Sequence, residues 1–273
     1  MKNIEVKKVV KFLFFISIFS LILHFSIYII YLLLDKTSLQ FLVRETLEKT
    51  KIRYSFFFVH PNVFAAYVFW TITMYYYLNF DKLNILSYIY TFLLALFIYV
   101  FPNSKTSALI IILLIVLTIF KKKFRKNINV KLVFVIVFLF CLLCLVFIEK
   151  PIVRTIDNIL TTRITLGRII YENYGIHLFG ANIQNSVKIA IINGQYYNNI
   201  KIIDSMYYTL LFNYGIISVV IFAWCLFKHK FVKNEDLFFV LVLMYGITET
   251  ICLSPIIAFP LLFLSEREKK YEK

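Results

Sequence analysis

Residues 12–34, FLFFISIFSLILHFSIYIIYLLL, decide the fold class. The stretch is apolar on every helical face and longer than the roughly 20 residues that cross about 30 Å of hydrocarbon. No small-residue cleavage site closes it, since it ends in Tyr31-Leu-Leu-Leu and Asp35 follows, so it reads as a retained span and not a signal peptide. Comparable runs recur at 62–78, 85–101, 106–120, 132–148 and 206–227. A last stretch, 237–264, is too long for one crossing, and Thr248, Glu249, Thr250 and Pro255 interrupt it, which predicts two shorter spans meeting near Ser254. The expectation is an all-α polytopic integral membrane protein, a single domain over 1–273 with about 8 transmembrane helices. A hydrophobic content of 61% agrees with it. Alternation over about ten residues does not recur, which argues against an outer-membrane barrel.

The net charge of +15 raises the question of nucleic acid, and its distribution argues against it. With the N-terminus inside, the segments 1–11, 79–84, 121–131, 228–236 and 265–273 hold 18 of the 30 Lys/Arg in about 46 positions. The outer segments 35–61, 102–105 and 149–204 hold 12 in about 88. This is the positive-inside pattern of a plasma-membrane protein with both termini cytoplasmic, and the run KKKFRK at 121–126 reads as an anchor beside anionic lipid. The outer cations Arg44, Lys49, Lys51, Arg53, Arg154, Arg163 and Arg168 either meet lipid headgroups or bind an anionic ligand. Arginine offers phosphate a planar donor fork that lysine does not.

Polar groups in so apolar a chain cluster in few places. One is RYSFFFVHPN at 53–62, where Arg53, His60 and Asn62 stand beside a span. It is either a site or a loop end, with Pro61 as the first helical residue and His60 near the cap. Another is the long outer segment 149–204, far beyond an ordinary connection. Within it 164–174 predicts an amphipathic helix ending at Gly175, with a second turn at Phe179-Gly180. Asp204, at the boundary of the sixth span, is either its N-cap or an acidic catalytic group. Cys141 and Cys144 form a C-x-x-C inside an apolar run with no second pair or His cluster, so no metal site is expected. No phosphate-binding glycine loop, nucleophile elbow or zinc-protease motif is present.

The segment 53–62 resembles the R-x-x-F-x-F-x-H-P-N stretch of O-antigen/capsular polysaccharide polymerases (the Wzy family), in particular those of Gram-positive bacteria. PNSKTS at 102–107 is similar to their S-R-T-S stretch, with Lys105 in place of arginine. TTRITLG at 161–167, then Tyr174 and HLFG at 177–180, resembles their loop signature. IDSMY at 203–207 with NYGII at 213–217, and GITE at 246–249, are similar to their late motifs. The resemblance covers 53–250, with a shortened N-terminal region before it.

The resemblance implies a glycosyltransferase that polymerises undecaprenyl-diphosphate-linked oligosaccharide units on the outer membrane face, without a cofactor or a metal. It implies flippase and chain-length regulator proteins as partners. Arg163 is the first choice for stabilising the diphosphate leaving group, followed by Arg53 and Arg168. Asp204, His60 and Glu249 are the candidate bases, Asp204 ranking first. Asn62, Lys105 and Tyr207 are expected to bind substrate. A related ligase, a non-catalytic remnant or accessory subunit, and a flippase are the other readings.

Overall fold

The computed structural model describes residues 5–34, 41–46, 49–181, 183, 189–192, 195–198, 203–232 and 234–265. The chain is mostly helical and packs as two compact units, Met1–Asn127 with Ile256–Lys273, and Ile128–Pro255.

The first unit holds α1 (Val6–Leu33), a hairpin of β1 (Phe41–Thr46) and β2 (Lys49–Tyr54), α2 (Pro61–Leu78), α3 (Ile85–Val100) and α4 (Lys105–Phe124). Two of its helix starts, those of α2 and α3, have a chemical cause in their capping residues. Pro61 opens α2 with its fixed φ, and His60 caps it, its Nδ1 accepting from the Asn62 amide at 3.1 Å. Asn84 and Ser87 close a reciprocal capping box at the start of α3. α2 is the buried centre, and Phe56 wedges between Phe64 and Phe97 with ring centroids 4.8 and 5.5 Å away. A 3-10 turn at Phe259–Ser265 completes the unit, setting Phe259 and Phe263 against Tyr77.

The second unit holds α5 (Val130–Val146), α6 (Pro151–Ile159), α7 (Arg163–Tyr174), a hairpin of β3 (Ile189–Ile192) and β4 (Gln195–Asn198), α8 (Met206–Tyr208), α9 (Gly215–Lys228) and α10 (Glu235–Tyr245). α10 is buried along almost its whole length.

The first five apolar runs fold as α1 to α5 close to their expected bounds. The sixth does not run through. α8 passes into a π-helical turn at Thr209–Asn213 and breaks before α9. The cause is a close backbone crossing: Ala181 N–H donates to Phe212 O at 2.8 Å and Ile216 N–H to His177 O at 3.0 Å. Gly180 and Gly215 meet there, both left-handed, and a Cβ on either would lie 2.2 Å from the facing backbone. The last run breaks after α10 and continues as 3-10 turns at Thr250–Leu253 and Phe259–Ser265. Among the described residues, α1 alone is by itself long and apolar enough to cross a membrane; α5 and α6 qualify together but bend by 117°.

Candidate active site

Arg163 is the first residue of α7, and its position is fixed from α6. The chain reverses through Thr161 and Thr162, at φ of 56° and 64°, a left-handed pair with no glycine. Thr162 makes no side-chain cap. Asp157 of α6, buried, supplies the cap across the turn: Oδ1 accepts from the amides of Ile164 at 2.8 Å and Thr165 at 3.3 Å, and Oδ2 from the Thr165 hydroxyl. Gly167 lets α7 sit on the ring of Tyr208, whose hydroxyl donates to Cys141 O at 3.0 Å. At the other end, Gly175 takes φ of +67° as expected of a helix terminator.

Asp204 and Glu249 reach Arg163 by a second route. Met206 N–H donates to Gly246 O at 2.8 Å, and the Tyr207 hydroxyl to Leu243 O at 2.9 Å, which ties the segment before α8 to the end of α10. Gly246 has no Cβ to collide with Met206, so the two backbones close up. The Asp204 carboxylate accepts a charge-assisted hydrogen bond from Arg163 Nη1. Glu249 Oε1 lies 3.7 Å from Arg163 Nη2. All three side chains are largely enclosed, at 13% exposure for Arg163, 24% for Asp204 and 12% for Glu249.

One guanidinium thus faces two carboxylates, and Arg163 Nε is buried without a hydrogen-bond partner among the described residues. Burial pushes the Asp204 carboxyl above its ordinary value, and the charge and hydrogen bond of Arg163 oppose this without cancelling it. Such a group suits proton acceptance from a hydroxyl better than an ordinary aspartate.

The remaining expected residues divide. Ser205, not Asp204, holds the N-cap position of α8, so the cap reading of Asp204 is corrected: its carboxylate is spent on Arg163. Tyr207 was expected to bind substrate, yet it is 1% exposed and its hydroxyl is used internally. Arg168 pairs with Glu172 at 2.7 Å along α7 and lies over the Tyr171 ring, sharing no partner with Arg163 among the described residues. In the first unit, Arg53 is a buried clamp. Its Nε donates to Pro102 O at 2.8 Å and its Nη2 to Asn62 Oδ1 at 2.5 Å, joining the end of β2 to the start of α2 and the turn before α4. His60 is engaged as the α2 cap, and Lys105 is exposed at the start of α4. Of the outer cations, Arg44, Lys49 and Lys51 lie in β1 and β2.

The cap supplied by Asp157, the left-handed reversal at Thr161–Thr162 and the close approach at Gly246 escape a reading of the sequence. Asp157 precedes Arg163 by six residues, and its capping of the next helix depends on the reversal between them. Comparison with known protein families, curated proteins and solved structures finds no match.

Proposed function

We propose that this chain is a multi-spanning plasma-membrane glycosyltransferase that polymerises undecaprenyl-diphosphate-linked oligosaccharides, with both termini cytoplasmic and 149–204 outside. The observation that carries the reading is the convergence of Arg163, Asp204 and Glu249 from three separate segments into one enclosed cluster. The membrane part is supported by α1, apolar all round and yet exposed at Phe12, Phe15 and Phe19, and by similar faces on α3, α5 and α9. About eight crossings follow if α1 to α5, the broken sixth run and two spans in the last run are each counted.

In the reaction the bond between the donor sugar C1 and the phosphate oxygen breaks. A bond from the acceptor hydroxyl oxygen to that C1 forms, and the hydroxyl proton passes to Asp204. The lipid diphosphate leaves with the negative charge, which the planar donors of Arg163 stabilise as it develops. Glu249 holds the second edge of the guanidinium in place. The closeness of Arg163 to Asp204 favours one competing reading, a purely structural ion pair in a non-catalytic accessory chain.

Deleting the gene and sizing the surface polysaccharide tests the proposal. Complementation by the wild type should restore long polymer, and complementation by Asp204→Asn at equal protein level should not. Long polymer from the Asn variant would favour the structural pair.

A further inference from the structure

The first unit carries a groove of about 450 Å³ between α1, α2 and α3, inside the roughly 300–1,000 Å³ of ordinary ligand sites. Phe14, Thr71, Tyr75, Ser87, Thr91 and Leu94 form much of its wall. The wall hydroxyls are largely turned to partners of their own. Thr71 Oγ1 donates to Tyr67 O at 2.8 Å, and Ser87 Oγ to Asn84 Oδ1 at 3.0 Å. Thr91 Oγ1 donates to Ser87 O at 2.8 Å while accepting from Tyr76 at 2.9 Å. What the groove presents is therefore chiefly methyl, methylene and ring carbon.

One end is different. Exposed Asn84 lines it, and only its Oδ1 is engaged in capping α3, which leaves the amide nitrogen able to donate. Lys122 is fixed over the turn leading to Asn84, its Nζ 2.8 Å from Leu83 O and 5.7 Å from the Phe80 ring centre. Exposed Lys82 lies on that turn beside exposed Asp81, and exposed Lys11 lies one helical turn before Phe14. Lys11, Lys82 and Lys122 thus stand, with Asp81, at the end of the helices that carries Asn84.

We infer that this groove seats one acyl chain of an anionic phospholipid, with its phosphate held by Lys82, Lys122 and the Asn84 amide. A chain slot alone accepts any lipid, whereas the excess of ammonium groups selects a net negative headgroup. The inference rests on the membrane reading, and by the same charge pattern the lipid belongs to the cytoplasmic leaflet.

Native mass spectrometry of the full chain, released from detergent after incubation with equimolar phosphatidylglycerol and phosphatidylcholine of identical chains, tests it. Phosphatidylglycerol should be retained about tenfold over phosphatidylcholine. Lys82→Gln/Lys122→Gln should level the two, and Leu94→Trp, at a half-open wall position, should reduce both. Equal retention by the wild type, a preference that survives the lysine changes, or unchanged retention by Leu94→Trp overturns the assignment. So does a dimer that Leu94→Trp dissociates, which would give the groove to a second copy. Alkaline extraction of vesicles separates the two levels. A chain released into the supernatant refutes the membrane reading itself, and a chain that stays in the pellet without the lipid pattern refutes the groove alone.

Discussion

At Arg163 the choice of side chain is decided by geometry. A guanidinium spans two carboxylates with separate nitrogens, Nη1 to Asp204 and Nη2 to Glu249, which a single ammonium does not reproduce. Arg163→Lys is therefore expected to keep protein abundance and lose about a hundredfold in polymerisation rate, roughly 3 kcal/mol, as for other donors to a developing charge. Polymer length at matched expression checks it. Asp204 makes a second prediction. A carboxyl whose pKa is raised on folding binds its proton more tightly in the folded state. Its contribution to stability is then full below the ordinary value of about 4 and is lost as pH climbs through the raised one. Thermal melts of wild type should fall with pH across that window, and those of Asp204→Asn should fall less. The acidic limb of the wild-type activity profile should also lie above the ordinary aspartate range, because the ionised form is the base.

Among elements, the crossing of 177–181 over 212–217 sets the shape of the second unit near α8 and α9. Gly180 and Gly175 share a left-handed φ but not a setting: a Cβ at Gly180 would lie 2.2 Å from Asn213 O, and one at Gly175 meets nothing within 4 Å. Gly175→Ala is expected to cost only the backbone penalty of its φ 67°, ψ −163° conformation, about 1–3 kcal/mol. Gly180→Ala should cost clearly more, because backbone must move, and melting temperatures of the pair compare them. The same contrast explains what could be read beforehand. Helix bounds from α1 to α5, the Pro61 start and the Gly175 stop depend on neighbouring residues, so apolar runs and caps disclose them. The break in the sixth run depends on a strap more than thirty residues upstream, and periodicity carries no trace of it. Within the site, Arg163, Asp204 and Glu249 were legible as scarce polar groups. Arg53 and Tyr207 donate to the distant carbonyls of Pro102 and Leu243, contacts that local sequence does not reveal.

At the scale of the whole chain, membrane insertion is open to direct measurement. The expected topology places Val59 outside and Lys126 inside, and both are exposed. In a background without Cys141, Cys144, Cys225 and Cys252, Val59→Cys should react with an impermeant thiol reagent on intact cells. Lys126→Cys should react only after lysis. The reverse pattern would invert the topology, and the outer location of Arg163 and Asp204 would go with it.

The return of Phe259–Ser265 to the first unit has a consequence for biosynthesis. Phe259 and Phe263 pack on aromatic rings of α2, nearly two hundred residues earlier in the chain. The first unit to leave the ribosome is thus among the last to close, and the Tyr77 face waits uncovered while the entire second unit is translated. A nascent chain stalled after Pro255 should hold α2 in a state that proteases and chaperones recognise. Release of ten further residues should be enough to protect it.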